Sequence, residues 1–328
     1  RAPSQGAAGA QATADLLPHM TVEAKFWQLF MVPGSPADSG HDYRHGIFGL
    51  QIPAAPTARQ DAERIDSVQR FFTERTRLGI PIIPFDEAVH GLTRPGATVF
   101  PQAIGLAATW DTALMGRVAT AIARETRSRG IRQVLSPVVN LATDVRWGRT
   151  EETYGEDPLL ASAMAAAYVA PFEHLGVITT PKHFVANVGD GGRDSYPIAL
   201  DDRTLAEFYY PPFRAALAAG SHSVMTAYNS VGGLPATQNS QLLTETLRKA
   251  WGFRGFVITD AAATGGATVL HHTASTTQEA ARQAFVAGVD VIFQSAWPQR
   301  APHLDAIRTL VPPAVTDSAG ARVLRTKA

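Results

Sequence analysis

The sequence has no cysteine, no net charge and no long apolar run. The lack of cysteine among its 328 residues excludes disulfides, thiolate nucleophiles and cysteine-ligated zinc sites. The 29 Lys and Arg residues balance 29 Asp and Glu residues, so no net field attracts nucleic acid or an anionic membrane surface. No apolar stretch approaches the roughly 20 residues that span a bilayer. Neutral ligands are therefore expected as partners, and neither nucleic acid nor a membrane is expected.

The composition indicates a globular protein with an N-terminal tail. Apolar residues make up 45% of the chain and charged residues 18%, which is enough apolar material for a sizeable core. Residues 1–19 begin with RAPSQGAAGAQATAD, a small and polar segment that predicts a flexible tail. A tail left by removal of a signal peptide would place the protein in the periplasm or outside the cell. An interdomain or cloning remnant is the alternative, and it leaves a cytoplasmic location open.

One pattern occurs six times: a helical stretch ends in glycine, and a short β-branched run follows at once. Glycine past a helix end supplies a left-handed cap, and an unbroken apolar run is typical of a strand buried on both faces. The six runs are LGIPIIPFDE from Leu78, RGIRQVLSPVVN from Arg129, LGVITTPKHF from Leu175, AGSHSVMTAYN from Ala219, RGFVITDA from Arg254 and AGVDVIFQS from Ala287. The run HGIFGLQIP from His45 adds a strand, which gives seven of the eight that a closed barrel needs.

The stretches between these runs have helical periodicity. Ile65, Val68 and Phe72 are spaced as on one helix face, and the stretch from Asp111 to Gly130 has the same spacing. Parallel strands joined by helices follow, and an α/β fold is expected. A doubly wound open sheet fits the alternation too, but no glycine-rich phosphate loop follows the first strand.

The favoured fold is a (β/α)8 TIM-like barrel, with an irregular or incomplete first or last βα unit. It is expected over residues 20–300, after the tail at 1–19. Residues 301–328 are expected to form a final helix and a linker toward a second domain.

Polar residues collect at the ends of the predicted strands. In a barrel of this kind all those ends point to one face, where the loops form the site. Chance would scatter such residues along the strands, because a buried charged group without partners costs several kcal/mol. The residues concerned are Asp86 and Glu87, Asn140, Lys182 and His183, Tyr228 and Asn229, Asp260, and Gln294.

Asp260 ends the strand in GFVITDAAAT, and two interpretations compete for it. As structure, it caps the following turn through a side-chain bond to the backbone. As chemistry, Lys182 and His183 end another strand, and cations near Asp260 would keep it ionised and nucleophilic. A carboxylate with basic groups around it suits sugar chemistry, in which it attacks an anomeric carbon.

The segment NLATDVRWGRTEETYGEDP, from Asn140 to Pro158, is dense in Arg, Glu and aromatic residues. As structure it is a salt-bridged surface loop. Trp147 favours a sugar site instead, because an aromatic ring beside Arg and Glu makes a platform for a pyranose.

Metal and serine chemistry are both weakly supported. His271 and His272 are adjacent and do not share a face, and His41 and His45 lie in a glycine-containing loop without a third ligand. The G-x-S-x-G elbow of serine hydrolases is missing.

An ordered set of motifs resembles the N-terminal barrel of glycoside hydrolase family 3. The resemblance runs from about Met20 to the end of the chain, and the motifs are DEAVHG, ATVFPQAIGLAATWD, SPVVNLATDVRWGRTEETYGEDP, KHFVANVGDGGRDSYP, VMTAYNSVGGLPATQN and LRKAWGFRGFVITDA. It implies a retaining, exo-acting β-glycosidase of the β-glucosidase or β-xylosidase type, which forms a covalent glycosyl-enzyme intermediate and needs no cofactor.

The resemblance also assigns roles. Asp260 matches the family's nucleophile, although Ala261 and Ala262 follow where the family more often has an aromatic residue. Tyr228 matches a tyrosine near the nucleophile. The residues that match the family's grip on the terminal sugar of an oligosaccharide or β-glycoside are Glu87, Arg149, Lys182 and His183.

Retaining hydrolysis needs a second group, an acid roughly 5 Å from the nucleophile. One-domain relatives place a His in a pattern like GDxxxDSH, whereas this chain reads GDGGRDSY with Tyr196 there, and a phenol with a pKa near 10 is a poor acid at neutral pH. Multidomain relatives take a Glu from a following α/β domain. We therefore expect a C-terminal domain or companion chain to supply the acid. Inside the barrel the loop residues to consider are Glu151, Glu152, Asp190 and Asp194, of which Glu152 is expected to be structural.

Two alternatives stay open at the level of sequence. One is a sugar-binding barrel that has lost its general acid and with it catalysis. The other is a β-glycoside phosphorylase, in which phosphate replaces water in the second step.

Overall fold

Eight parallel strands form a closed barrel in the computed structural model, which describes residues 15–38, 41–189, 197–295 and 300–327. The barrel strands are β1 Phe30–Pro33, β2 Gly49–Gln51, β3 Ile83–Asp86, β4 Gln133–Val134, β5 Ile178–Thr179, β6 Ser223–Met225, β9 Phe256–Ile258 and β10 Ile292–Phe293. The sheet runs in the order β10, β1, β2, β3, β4, β5, and β6 pairs with β9. Parallel bridges from Phe184 to Thr226 and from Ile258 to Val291 join these two parts into a ring. The predicted TIM-like barrel is confirmed.

The strand that sequence reasoning missed is the first. β1 lies between β10 and β2, with Phe30 opposite Ile292 and Met31 opposite Gly49. The helix Val22–Gln28 ends at Leu29, immediately before β1, so no glycine marks the change from helix to strand. The glycine pattern that located the other strands was therefore absent here.

Five of the six predicted glycine caps have the left-handed backbone that the prediction requires. Their φ angles range from +60° at Gly79 to +124° at Gly288. Gly255 is the exception. A Cβ atom at Gly255 would overlap the carbonyl oxygen of His222, so glycine is needed there for the close approach of two barrel strands.

Helices surround the barrel and cover its strands. Two of them confirm the predicted periodicity, because Ile65, Val68 and Phe72 are buried on one helix and Val118 and Ile122 on another. The α-helices are Val22–Gln28, Ala58–Arg75, Ala103–Ala107, Thr112–Ser128, Pro158–His174, Asp202–Thr204, Pro211–Ala218, Ala263–Val269, Thr277–Ala287, Arg300–Thr309 and Pro313–Lys327, and Leu205–Tyr209 and Gln241–Ala250 are π-helical. No helix in the described part of the chain is long and apolar enough to cross a membrane.

A hairpin follows β6 on the loop side of the barrel. Its strands are β7 Ser230–Val231 and β8 Leu234–Pro235, which pair antiparallel. Gly232 and Gly233 connect them with φ angles of +60° and +83°, as a tight two-residue turn requires.

The last two helices pack against the barrel. Val323 and Leu324 of Pro313–Lys327 are buried, and Lys327 donates hydrogen bonds to Gln28 Oε1 and to the carbonyl oxygen of Ile47. The division at residue 300 between barrel and linker stays a prediction. Of the predicted tail, residues 1–14 lie outside the described residues.

Candidate active site

The strand ends bring charged side chains together at one end of the barrel. Glu87 follows β3, Lys182 and His183 follow β5, and Asp260 follows β9. The His183 Nε2 atom lies 3.5 Å from Asp260 Oδ2, and Lys182 Nζ lies 2.8 Å from Glu87 Oε1. The predicted convergence of polar residues is therefore observed for these four.

Asp260 is a nearly buried carboxylate, with a side chain that is 12% exposed. Its Oδ1 atom accepts a hydrogen bond from the backbone N–H of Ala261 at 2.7 Å, so the predicted bond to the following turn exists. Oδ2 is buried without a hydrogen-bond partner among the described residues. One oxygen fixes the orientation of the carboxylate, and the other stays available to react.

Burial raises the pKa of Asp260 to about 6, while Lys182, the Ala261 N–H, Arg149 and Tyr228 each lower it. The Tyr228 hydroxyl donates to the carbonyl oxygen of Ala261 at 2.7 Å. Its single proton is thus directed to the backbone and not to Asp260 Oδ2. At neutral pH the balance leaves Asp260 ionised.

Glu87 and Lys182 form a two-pronged ion pair. The Lys182 ammonium donates to both carboxylate oxygens of Glu87, at 2.8 and 3.0 Å. Burial raises the pKa of Glu87, and Lys182 acts against that shift. The Glu87 side chain remains 37% exposed, so a ligand can reach it.

Arg149 and Glu152 form a second pair in the same region. Arg149 Nε and a second guanidinium nitrogen donate to the two Glu152 oxygens at 2.7 and 2.8 Å. The expectation that Glu152 is structural agrees with this contact. Gly148, whose φ angle is +84°, provides the turn that directs Arg149 inward after the short 3₁₀ helix Val145–Trp147.

Trp147 does not serve as the predicted sugar platform. It is 1% exposed, and its ring lies 5.9 Å from the Arg149 guanidinium carbon. A platform needs an open face, so this prediction is wrong, and Trp147 instead packs against the arginine. The surface-loop interpretation fits only the exposed ion pair of Asp144 and Arg146.

His183 is held by Asn140, a residue that the sequence placed at a strand end without a role. The Asn140 Oδ1 atom accepts from the His183 backbone N–H at 2.8 Å and faces Nδ1 at 3.0 Å. The Asn140 amide nitrogen donates to the His183 carbonyl oxygen at 3.0 Å. Both residues are almost fully buried.

Other strand-end residues have structural roles. Asp86 accepts from Arg94 at 2.6 Å and from Gln51 at 3.0 Å, and Arg94 also pairs with the buried Asp61. Gln294 donates to Thr264 within a buried cluster. Sequence patterns gave no sign of the Asp61–Arg94 pair, because 33 residues separate its members.

The proposed sources of the acid are only partly described. Asp190, Asp194 and Tyr196 lie outside the described residues. Glu151 is exposed, and no hydrogen bond or ion pair ties it to Asp260. A cavity of about 950 Å³ opens beside helix Ala58–Arg75, but none of the candidate site residues lines it.

Comparisons with known proteins show which family the chain is similar to. The model of the glycosyl hydrolase family 3 N-terminal domain matches residues 21–325. A periplasmic β-glucosidase of Salmonella typhimurium is 35% identical over 286 residues, which is 84% of this chain and 36% of that protein. A β-xylosidase of Formosa agariphila is 36% identical over 250 residues, which is 70% of this chain and 34% of that protein.

Solved structures show the same barrel. A β-glucosidase from Erythrobacter marinus superposes with a TM-score of 0.88 at 31% identity, covering 97% of this chain and 45% of that one. A β-glucosidase from Listeria innocua in complex with glucose gives a TM-score of 0.86 at 26% identity, covering 97% of this chain and 46% of that one. The chain thus spans about a third of the length of these curated relatives and less than half of the solved ones.

Proposed function

Since the chain belongs to glycosyl hydrolase family 3, as its N-terminal domain, we propose that it is the catalytic barrel of a retaining, exo-acting β-glycosidase with Asp260 as nucleophile. The observation that carries the proposal is the half-satisfied carboxylate of Asp260. Oδ1 is fixed by Ala261, whereas Oδ2 is buried, unbonded among the described residues and 3.5 Å from His183. An aspartate that only caps a turn needs one bonded oxygen, and burying the second oxygen without a hydrogen bond costs free energy.

The reaction proceeds in two displacements. Asp260 Oδ2 attacks the anomeric carbon, the bond from that carbon to the leaving oxygen breaks, and an acid protonates the leaving oxygen. Water, deprotonated by the same group, then attacks the anomeric carbon and releases Asp260 and the sugar. Lys182 and Arg149, which lower the pKa of Asp260, keep the carboxylate ionised for the first step.

The residues of the two ion pairs bind the terminal sugar. Glu87 with Lys182 and Arg149 with Glu152 hold charged donors and acceptors in place before a ligand arrives. Charged groups make stronger hydrogen bonds than neutral ones, so they can bind vicinal hydroxyls of a glucose- or xylose-like residue. The names of the relatives, β-glucosidase and β-xylosidase, support this substrate class.

The acid comes from a C-terminal α/β domain or companion chain that docks on the open end of the barrel. Exposed large apolar side chains support this, because most of them lie between a strand end and the first turn or two of the helices that follow. Those residues are Val99, Trp110, Val145, Leu159, Phe208, Leu234, Val269 and Leu270. Only Val22, Val286 and Leu310 share such exposure elsewhere in the described chain. Exposed apolar groups on the loops at one end of a barrel favour an interaction surface there.

The periplasm or the outside of the cell is the proposed location. The support is the name of the periplasmic relative, at 35% identity.

Covalent labelling tests the nucleophile without the acid. The protein is incubated at pH 7 with a 2-deoxy-2-fluoro β-glucoside bearing an activated leaving group, which needs no protonation to depart. We expect a mass increase of one fluorosugar, located on the Asp260 peptide. Asp260→Asn should remove the label, and the exposed Asp66→Asn should retain it, since Asp66 only pairs with Arg70 on the surface.

The other outcomes decide between the alternatives. Sugar binding without labelling would favour a binding barrel that has lost catalysis. Labelling followed by release of a sugar phosphate when phosphate is added would favour a phosphorylase. Label on another residue would overturn the assignment of Asp260.

A further inference from the structure

Asn140 makes three contacts with a single residue, His183. Its amide nitrogen donates to the His183 carbonyl oxygen at 3.0 Å. Its amide oxygen accepts from the His183 N–H at 2.8 Å and lies 3.0 Å from Nδ1 of the ring. The Asn140 side chain is buried, so water does not compete for these bonds.

The backbone of His183 fixes which way the Asn140 amide points. A carbonyl oxygen can only accept, so it must face the amide nitrogen, and a backbone N–H can only donate, so it must face the amide oxygen. Flipping the amide would lose both bonds. The oxygen that remains beside Nδ1 is an acceptor, and Nδ1 must therefore carry the proton.

The opposite ring nitrogen then has a defined state. In a neutral ring with Nδ1 protonated, Nε2 has a lone pair. Nε2 lies 3.5 Å from Asp260 Oδ2, which is also an acceptor when ionised. Two lone pairs repel, so this contact is attractive only when the pair of groups holds one further proton.

We propose that Asn140 is a positioning residue that holds His183 in the Nδ1–H form, so that Nε2 is the ring nitrogen directed toward Asp260. The inference rests on the proposed function for the role of Asp260.

Other charged groups face this pair. Among the described residues, Lys182 and Arg149 are the cations that act on Asp260, and Tyr228 is the neighbouring phenol. Glu87 forms an ion pair with Lys182, and Glu152 forms one with Arg149. None of the variants used in the test replaces any of these five residues.

The test is the protonation state of the His183 ring, read by nitrogen NMR on histidine-labelled protein. The signals of His183 are identified among the ten histidines by their loss in His183→Gln. In the wild type at alkaline pH we expect a protonated Nδ1 and an unprotonated Nε2, with Nε2 gaining a proton as the pH falls. Asn140→Leu removes the acceptor beside Nδ1. In that variant we expect the His183 ring to carry its proton on Nε2 at alkaline pH.

Asn140→Asp keeps an oxygen beside Nδ1 and adds a negative charge. The pH at which His183 loses its second proton should rise by about one unit or more, because an opposite charge at hydrogen-bond distance stabilises the cation. Gln133→Leu is the matched control, since Gln133 is a buried amide of β4 that bonds Thr180 and not His183. This control variant should leave the protonation state of the His183 ring unchanged.

Two results would overturn the proposal. One is a wild-type ring with Nε2 protonated at alkaline pH. The other is an unaltered ring in Asn140→Leu or, should that variant not fold, an unshifted midpoint in Asn140→Asp. Because the NMR measurement needs no turnover, failure of the fluorosugar label with the expected ring state would count against Asp260 as nucleophile and not against the role of Asn140.

Discussion

At the scale of single residues, the candidate site contains carboxylates whose pKa values are raised by burial and lowered by neighbouring cations. Asp260 is the clearest example, because burial raises its pKa to about 6 even though Lys182 and Arg149 lower it. A carboxyl that is harder to ionise in the folded state opposes folding once it is ionised. The ionised Asp260 side chain therefore reduces the stability of the protein at neutral pH.

Asp260→Asn should stabilise the protein at pH 7.5 and not at pH 4. A group with a raised folded pKa contributes stability that is complete below its unfolded pKa, near 3.8, and is lost as the pH rises through the folded value of about 6. A shift of this size corresponds to about 2–3 kcal/mol at neutral pH. Urea denaturation at the two pH values measures it, and an equal gain at both would contradict the prediction.

Sequence reasoning located the residues of the site better than it located their contacts. Strand-end position brought Glu87, Lys182, His183 and Asp260 to one face, since the ends of parallel strands meet there. It failed for Trp147, because residue type does not say which face of a ring is covered, and the ring is buried. It listed Asn140 but missed its bonds to His183, which join residues 43 positions apart.

At the scale of elements, a buried ion network ties β3 to its neighbours. Arg94 donates to Asp86 of β3, to Asp61 of helix Ala58–Arg75 and to the carbonyl oxygen of Ile52. Asp86 in turn accepts from the backbone N–H of Glu87. The network thus fixes the backbone from which Glu87 reaches the site.

Arg94→Met should destabilise the protein by about 3 kcal/mol, because removing one partner of a buried pair leaves its charges uncompensated. The side chains of Arg94 and Asp61 are 1% and 0% exposed. Arg70→Ala is the control: it breaks an exposed pair with Asp66 and should cost about 0.5 kcal/mol or less. Thermal and urea unfolding measure both, and equal losses would contradict the assigned role of burial.

The strands and helices that could be predicted from the sequence are those marked by a pattern of neighbouring residues. Glycine before an apolar run found six strands, and five of those glycines have the expected backbone. β1 lacks that signal because its helix ends at Leu29. The Asp61–Arg94 network has no local signal either, since it exists only once the chain has folded.

At the scale of the whole molecule, most of the exposed large apolar side chains belong to segments that connect a strand end to the next helix. Trp110 is 70% exposed and Val269 69%. Water around such groups is released when a second surface covers them. This distribution supports a docking surface for the domain proposed to supply the acid.

A variant with Trp110, Val269 and Leu270 all replaced by Ser should self-associate less than the wild-type chain at high concentration, with little change in melting temperature, since these side chains are exposed. The matched control replaces Val22, Val286 and Leu310, which are exposed elsewhere in the described chain. Sedimentation velocity measures the association. A larger effect from the control set would contradict the assignment of the surface.

The pairing of β1 with β10 sets the order in which the protein can be completed in the cell. Phe30 finds its partner only when Ile292 has left the ribosome. At usual rates of synthesis that interval is on the order of 10 to 50 s. During it the hydrogen-bonding edge of β1 that faces β10 has no native neighbour, and such edges attract other chains. Nascent copies should therefore depend on chaperones until the tenth strand arrives.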